Sequence, residues 1–369
     1  MIIIDDIINI TPALEYAGIS DNEKILFFDI ETTGFAALST QLYLIGCIYP
    51  EDGLWKMRQW FVEDHNEEKE CLKEFSTFLK NFTTLIHFNG NGFDIPYLTK
   101  KYERYKLTAP FDTLKSIDIY KALMPYKKFL SMESLKQKSV EKLLGIERED
   151  KFSGGELIYV YFDYQERRRK EALELLLLHN RDDLIGMTEL LPALAYANLK
   201  ELIPSAYNYK ICESQSFDNQ PIRELLFEFT LNTCFPTPIK SQLPCSITVV
   251  LSDNKLKLLI PITSCELKYF YPNYKDYYYL PLEDTAMHKS VAQFVDKNYR
   301  TQAKAANCYT KKCGEFIPLG NKVCIMPDIN IFRSEHNSKE AFCDLEELNQ
   351  KLNDKEFAAA YLNNILSSI

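Results

Sequence analysis

Three short segments of the chain carry acidic side chains at spacings suited to holding divalent cations. Asp29 and Glu31 lie two residues apart at the end of an apolar run, Lys-Ile-Leu-Phe-Phe-Asp-Ile at 24–30. Residues i and i+2 of a β-strand point to the same face, so both carboxylates should emerge together. Two acids aimed at one point repel each other unless a cation lies between them. Solvated acids at a strand end are the alternative, and the apolar run behind them favours a buried central strand.

The other two segments place acids on predicted helices. Asp94 follows a glycine-containing turn within 87–98, at the predicted start of a helix, where it could be a ligand or a simple N-cap. His179 and Asp183 are four residues apart late in a predicted helix and therefore share a face, whereas Asp182 points away from it. Taken alone, a histidine and an aspartate on a helix are usually surface residues, so only the combination indicates a site.

Strand and helix patterns around these segments predict an α/β fold. Three strands in an antiparallel meander come first, and alternating helices and strands follow, which is typical of a mixed five-stranded sheet flanked by helices. The predicted strands are 24–30, 41–49, 55–62, 84–88 and 116–120, and the predicted helices are 66–82, 93–105, 132–144 and 165–194. Gly154 and Gly155 are expected to break the chain before the last of these helices.

Length predicts two domains, because 369 residues exceed the roughly 250–300 that one hydrophobic core usually serves. After Pro204 the sequence pattern changes to predicted strands separated by prolines. We therefore predict a first domain over 1–204 and a second α+β domain over 205–369. Within the second domain the patterns predict a hairpin of strands 246–251 and 256–262, a helix over 284–299 and a last helix over 345–366.

The second domain has a basic and aromatic stretch in an otherwise acidic chain of net charge −9. Between Lys240 and Lys312 there are eleven basic and six acidic residues, interleaved with tyrosines. Such a surface suits single-stranded nucleic acid, where bases stack on rings and phosphates meet lysine or arginine. The alternative is that the rings pack into the core from one face of a strand. The net charge itself counts against a protein that coats nucleic acid.

Together the three acidic segments resemble the motifs of the DnaQ-like (DEDD) 3′→5′ exonucleases of the RNase H-like superfamily. The first motif is Phe-Asp-Ile-Glu-Thr-Thr-Gly at 28–34, the second is Asn-Gly-Asn-Gly-Phe-Asp at 89–94, and the third is His-Asn-Arg-Asp-Asp at 179–183. In detail the chain is most similar to the bacterial YprB-type branch, whose third motif reads Tyr-Asn-x-x-Asp. The resemblance covers about residues 20–195, and three jointly placed motifs are far more specific than one.

The resemblance implies an RNase H-like sheet and a two-metal phosphodiester hydrolase. Asp29, Glu31, Asp94 and Asp183 would hold two Mg²⁺ or Mn²⁺ ions, with His179 as the general base. The backbone of Thr32, Thr33 and Gly34 and the side chain of Asn89 would border the 3′-terminal nucleotide, although Asn89 could equally be a turn former beside Gly90. Asp118 occupies a place where such enzymes often have an acid, and a supporting or structural role is expected for it.

One departure from the family concerns the third motif. His179 replaces the tyrosine of the YprB-type branch, while histidine-type exonucleases place their histidine five residues before the aspartate. A histidine can still accept a proton near neutral pH, so base catalysis remains chemically sound. A nucleic-acid-binding module that has lost activity would be expected to lack one or more acids, and none is missing. A structure-selective endonuclease is a second alternative, because the same metal chemistry can cut inside a strand or at its end. The sequence also leaves open the choice between DNA and RNA as substrate.

Cysteine usage and hydropathy bear on the compartment. Ten cysteines without a CxxC pair fit reduced thiols, and the spacing of Cys308, Cys313, Cys324 and Cys343 does not suit a structural zinc site. No apolar run approaches the roughly 18 residues of a membrane span, and the first residues lack the basic region of a signal peptide. These features predict a cytoplasmic protein.

Overall fold

The computed structural model describes residues 1–20, 23–147, 154–215, 221–320 and 329–369. The chain divides into two compact units, Met1–Ala197 and Asn198–Ile369. The boundary predicted from the sequence, after residue 204, lies a few residues further along the chain. Among the described residues, no helix has both the length and the apolar character needed to cross a membrane.

The first unit is built on a six-stranded mixed sheet. Its strands are β1 (Ile2–Ile8), β2 (Ile25–Thr32), β3 (Leu42–Glu51), β4 (Leu54–Phe61), β5 (Thr84–His87) and β6 (Lys115–Asp118). Their order across the sheet is β1-β4-β3-β2-β5-β6. Strands β1 to β4 pair antiparallel, whereas β5 lies parallel to both β2 and β6. The predicted mixed sheet is therefore confirmed, with one strand more than the five expected.

The additional strand, β1, lies at the edge of the sheet and pairs with β4 from Ile2–Phe61 to Ile8–Trp55. Two consecutive acids, Asp5 and Asp6, interrupt its apolar pattern. Both Asp5 oxygens accept hydrogen bonds from the Arg58 guanidinium on β4, at 2.6 and 2.7 Å, and Asp6 pairs with Arg181. The alternation could not identify this strand because its stabilising partners are arginines distant in sequence.

Helices cover both faces of this sheet. They are α1 (Glu68–Leu79), α2 (Asp94–Arg104), α3 (Ile119–Leu123), α4 (Gln137–Leu143), α5 (Gly154–Arg167) and α6 (Lys170–Glu189). Alternation along β2 sends Phe28 into a core with Phe75 of α1 and Trp60, while the opposite face of the sheet packs Tyr43 against Tyr161 of α5. Burying each such side chain stabilises the fold by roughly 1.5–3 kcal/mol.

Two helix predictions and one predicted chain break differ from the structure. The helix expected over 132–144 begins only at Gln137. The long helix expected over 165–194 is two helices, because Arg168 adopts a left-handed conformation (φ 52°) between α5 and α6. Its guanidinium donates to the Glu63 carbonyl at 3.2 Å, a tertiary contact that local periodicity cannot reveal. The glycine pair expected to break the chain instead begins α5.

The second unit contains three further sheets and two C-terminal helices. Its strands are β7 (Pro204–Gln215), β8 (Pro221–Gln242), β9 (Thr248–Pro261), β10 (Thr263–Phe270), β11 (Tyr277–Leu280), β12 (Thr285–His288), β13 (Thr301–Gln302), β14 (Tyr309–Gly320), β15 (Phe332–Arg333) and β16 (Ala341–Asp344). Its helices are α7 (Lys289–Ala292), α8 (Leu345–Lys351) and α9 (Lys355–Leu366). Strands β7 to β9 form one sheet, β11 to β13 another, and β10, β14, β16 and β15 close into a small barrel.

The second unit is α+β as predicted, but three of its predicted elements are wrong. The expected hairpin over 246–262 is the single strand β9, which pairs along β8 instead of folding back on itself. The expected helix over 284–299 is mostly the strand β12 and the one-turn helix α7. The expected last helix is divided, because the Asp354 carboxylate accepts from the Glu356 backbone N–H and caps the start of α9.

The tyrosines of the second unit pack largely against one another. Tyr271 and Tyr277 stack with their ring centroids 4.5 Å apart, and both lie against the buried residues Ala286, Ala303 and Cys308. This packing agrees with the core alternative considered for these rings. Nucleic-acid binding by the second unit stays a prediction.

A close approach between β3 and α6 generates the first testable prediction. A Cβ added at buried Gly46 would lie 1.9 Å from Asn180 Oδ1 and 2.7 Å from a Leu184 methyl carbon. Gly46→Ala should therefore lower the free energy of unfolding by about 1–3 kcal/mol, because overpacking forces neighbouring groups to move. Urea unfolding followed by tryptophan fluorescence measures this change.

Gly155→Ala is the matched control for Gly46→Ala. Gly155 is exposed on α5, and a Cβ added there would have no neighbour within 4 Å. Because alanine is the better helix former, this variant should be as stable as the wild-type protein or more stable. Equal stability of the Gly46→Ala variant and the wild-type protein would contradict the tight packing of α6 on β3.

Candidate active site

The candidate site lies where the carboxyl ends of the three parallel strands meet. Asp29 and Glu31 are near the end of β2, the loop that begins at Phe88 follows β5, and Asp118 is the last residue of β6. The pairing of β2 with β3 shifts register after Glu31, which ends regular strand geometry at this point. In open α/β sheets this edge is the usual place for ligand binding.

The Asp29 carboxylate is oriented by two successive amide side chains, Asn180 and Gln59, that are linked by hydrogen bonds. Asn180 of α6 donates from Nδ2 to Asp29 Oδ2 at 3.0 Å. The Asn180 Oδ1 atom accepts from Gln59 Nε2 at 2.9 Å, and the same Gln59 nitrogen also lies 3.0 Å from the Leu177 carbonyl. Because Asn180 and Gln59 are both buried, these bonds fix which side of the Asn180 amide faces Asp29.

Glu31, His179 and Asp183 lie close together in the site. His179 Nε2 lies 3.7 Å from Glu31 Oε1 and 3.2 Å from Asp183 Oδ2. One donor atom from each of the three residues lies within 4.8 Å of the others, a spacing that suits a metal ion. The buried Tyr43 hydroxyl donates to Glu31 Oε2 at 3.3 Å and orients that carboxylate.

Asp94 joins the site through the backbone of β2. Its Oδ1 atom accepts from the backbone N–H of Ile30, the residue between Asp29 and Glu31, at 3.2 Å. The N-cap position of α2 is Phe93, so Asp94 is the first residue of the helix and the N-cap interpretation of this aspartate is wrong. The side chain is buried, with 5% of the residue exposed.

Burial and mutual repulsion raise the pKa values of three of these acids. Burial is the larger cause for Asp29, whose pKa lies well above its usual value, and the charges of Asp94, Glu31 and Asp183 add to it. Burial and the Asp183 charge raise the pKa of Glu31 to about 8. Burial raises the pKa of Asp94 to about 7 although two backbone hydrogen bonds oppose it. Holding these acids ionised at close range costs free energy, and a bound cation would offset that cost.

The donor set fits hard divalent cations. Carboxylate oxygens of Asp29, Glu31, Asp94 and Asp183 are the ligand type that Mg²⁺ and Mn²⁺ prefer. One ring nitrogen of His179 also lies within 4.8 Å of a carboxylate oxygen of Glu31 and of Asp183. His179 therefore has the position of either a ligand or a base beside the ligands.

The loop that connects β5 to α2 is organised by Asp118 and His87. The Asp118 carboxylate accepts from the backbone N–H groups of Asn89 at 3.0 Å and Asn91 at 3.1 Å. His87 Nδ1 accepts from the Gly90 N–H at 3.0 Å. Burial lowers the pKa of His87 to about 4, which keeps the ring neutral and able to accept this bond. Asp118 thus has the supporting position expected for it.

The predicted substrate-binding residues lie in two turns at this edge. Asn89 has a left-handed backbone (φ 63°), and its carbonyl accepts from the N–H groups of Gly92 and Phe93. Thr32 Oγ1 donates to the Gly34 carbonyl at 2.9 Å, and Thr33 Oγ1 accepts from the Gln41 N–H at 2.9 Å. These hydroxyls therefore stabilise the turns themselves, and contact with a nucleotide stays a prediction for all four residues.

Sequence reasoning missed several residues that complete the site. Phe35, directly after the first motif, is 90% exposed, and its ring contacts Phe93 edge-on at 5.7 Å. The orienting roles of Tyr43, Gln59 and Asn180 were also missed. Gln59 could have been suspected, because a polar residue on a strand face that is otherwise apolar is rarely buried without a partner.

One family model matches most of the first unit. Residues 26–195 match the family model of the RNase_H superfamily, and the first unit has an RNase H-like fold. A solved structure of the family B DNA polymerase from the hyperthermophilic archaeon Pyrobaculum calidifontis is similar at 15% identity with a TM-score of 0.39. The similar region covers 48% of this chain and 26% of the polymerase chain. No curated protein matches the sequence at a significant level.

Cation binding should be measurable without any substrate. Saturating Mn²⁺ should raise the thermal unfolding midpoint of the full chain by about 5–10 °C over the value in EDTA, because a cation offsets the repulsion among the acids. Glu31→Gln/Asp183→Asn should lose most of this metal-induced rise. Differential scanning fluorimetry with and without Mn²⁺ measures it for each variant.

The matched control for this measurement is Glu103→Gln/Asp112→Asn. It removes the same charge from two exposed positions of the first unit and should keep the full metal-induced rise. The same rise in both double variants would show that Mn²⁺ binds somewhere other than the candidate site.

Proposed function

We propose that the first unit is a metal-dependent 3′→5′ exonuclease that hydrolyses phosphodiester bonds at a single-stranded 3′ end of nucleic acid. The convergence of Asp29, Glu31, Asp94, His179 and Asp183 at one sheet edge carries this proposal. The match to the RNase_H superfamily supports nuclease chemistry in general, and the three motifs that resemble DnaQ-like exonucleases support the 3′→5′ polarity.

The four carboxylates would hold two Mg²⁺ or Mn²⁺ ions. Bound there, the ions would lower the pKa of the attacking water and neutralise charge on the phosphoryl oxygens. Asn180 keeps Asp29 turned toward the site, the Ile30 N–H holds Asp94, and the Tyr43 hydroxyl directs one oxygen of Glu31. These buried donors would keep the ligands in place between turnovers.

His179 would accept the proton from the attacking water. Its Nε2 atom faces Glu31 Oε1 and Asp183 Oδ2, and these two carboxylates would stabilise the imidazolium that forms. A neutral imidazole has a free ring nitrogen that can accept a proton, so this residue type suits the task. The replacement of the family's tyrosine by His179 therefore preserves a proton acceptor beside the same aspartate.

The proposed activity predicts the pattern of products. Single-stranded DNA or RNA labelled at its 5′ end should give a ladder of progressively shorter products with Mn²⁺ or Mg²⁺, and none with EDTA. Discrete internal fragments would instead show an endonuclease. Absence of cleavage with Mn²⁺, together with binding, would favour a nucleic-acid-binding module that has lost activity.

Variants of His179 test the catalytic assignment. Asp29→Ala should abolish turnover, and His179→Ala should lower kcat by about 10²–10⁴-fold with little change in metal affinity, because only the proton acceptor is removed. His179→Tyr should restore part of the rate. His65→Ala, which changes an exposed histidine of the first unit, should cleave at the wild-type rate; a wild-type rate for His179→Ala would remove His179 from the mechanism.

Phe35 should bind the terminal nucleotide by stacking. An aromatic ring exposed beside the first motif offers a base a flat apolar surface, and such stacking contributes about 1–3 kcal/mol per base. Phe35→Ala should therefore raise KM at least about fivefold with kcat much less affected. Tyr159→Ala is the control, because Tyr159 is also highly exposed (78%) but lies on α5. Equal KM values for the two variants would contradict this role.

A further inference from the structure

A lysine-rich segment of the first unit stands out in an acidic chain. Residues 121–142 contain six lysines and two acids, whereas the whole chain has a net charge of −9. All six lysines are exposed: Lys121, Lys127, Lys128, Lys136, Lys138 and Lys142. Of the two acids Glu141 is buried, which leaves Glu133 as the exposed acid of this basic segment.

Five of these six lysines lack a carboxylate partner among the residues that the structure describes. Apart from Lys138, which has a partner of its own, none of them forms an ion pair with a residue that the structure describes. Some lysines of the second unit, by contrast, are neutralised. Lys257, Lys268 and Lys312 pair with Glu228, Glu335 and Asp344 at 2.6 to 2.8 Å. The positive charge of the basic segment therefore remains available to a partner.

Both ends of the basic segment are tied to the candidate active site. Just before its first residue, Asp118 binds the backbone N–H groups of Asn89 and Asn91 and also caps α3 through the Lys121 N–H at 3.1 Å. Near its other end, Gln137 Nε2 donates to the Asp183 carbonyl at 2.9 Å. The segment thus runs from the loop of the second motif to the aspartate of the third.

A polar cavity of about 510 Å³ lies within the segment. Ser131, Ser134, Ser139, Lys142 and Glu133 line it together with three apolar residues, and the Ser134 and Ser139 hydroxyls hydrogen-bond to each other. Hydroxyl and ammonium groups are the donors that proteins use to bind phosphate oxygens of a nucleic-acid backbone. Extended binding of this kind is driven by lysines that release counterions from the strand.

We propose that residues 121–142 bind the phosphate backbone of the strand whose 3′ end enters the candidate active site. The identity of the strand as a substrate rests on the proposed function, but binding itself does not. The net negative charge of the chain is no obstacle, because the lysines are concentrated in one segment that is tied to the site through Asp118 and Gln137. Nucleic acid fits this surface better than an acidic protein, because both ends of the segment are anchored to residues proposed for phosphodiester chemistry.

The test uses the full chain and a fluorescein-labelled single-stranded oligonucleotide of about 20 nucleotides. Fluorescence anisotropy in EDTA measures binding without cleavage, at several salt concentrations between about 50 and 200 mM. Lys127→Gln/Lys128→Gln/Lys136→Gln/Lys142→Gln should weaken binding at least about tenfold at low salt. It should also lower the slope of log affinity against log salt by up to about 3, because each phosphate contact to a single strand contributes about 0.7.

Two matched variants separate charge from structure. Lys24→Gln/Lys69→Gln/Lys80→Gln/Lys100→Gln removes four exposed lysines of the same unit outside the segment and should bind like the wild-type protein. Lys127→Arg/Lys128→Arg/Lys136→Arg/Lys142→Arg keeps the charge and should retain the affinity and the salt slope. Unfolding midpoints check that the variants fold, and pairwise Lys→Gln variants replace the quadruple one if it does not.

The outcomes distinguish this inference from the proposed function. Loss of affinity and salt slope in the segment variant alone supports the inference, even if the wild-type protein cleaves nothing with Mn²⁺. Equal affinity of the segment variant, the control and the wild-type protein overturns it, even if all three cleave. Binding to phosphatidylserine vesicles but not to the oligonucleotide would also overturn it, because the segment would then recognise a membrane surface.

Discussion

Mutual repulsion among clustered carboxylates is the constraint around which the first unit is arranged. Asp29, Glu31, Asp94 and Asp183 come from a strand and two helices, and the fold must hold them together against their own charge. It does so with one neutral donor for each of three acids: the Asn180 amide, the Tyr43 hydroxyl and the Ile30 N–H. Neutral donors fix geometry and leave the negative charge uncompensated, which is the electrostatic condition for binding cations.

The need to orient Asp29 also explains why α6 packs so closely on β3. Asn180 can reach Asp29 only because β3 has no side chain at Gly46, and Gln59 must then satisfy the remaining Asn180 oxygen. A polar network inside a dry interface stabilises only when every member has a partner. The buried face of α6 therefore contributes to the site through Asn180, which orients Asp29, just as the adjacent face contributes His179.

The sequence could predict the parts of this protein that depend on local pattern. Apolar runs at 24–30 and 41–49 and alternation at 55–62 identified the central strands, and motif spacing singled out the acids that the structure brings to one sheet edge. It could not identify β1, because Asp5 and Asp6 are compatible with a strand only when Arg58 and Arg181 are near. The break between α5 and α6 was missed for the same reason, since Arg168 leaves the helical region while contacting the distant Glu63.

The paired acids of β1 also affect how the sheet ends. A strand at the edge of a sheet presents unpaired backbone groups to which a strand of another molecule can add. Here that edge has Asp5 and Asp6 with their arginine partners, so an incoming strand would have to bury charged groups or separate ion pairs. The charged pairs that disguise this strand in the sequence are thus a feature that disfavours the addition of another strand along this edge.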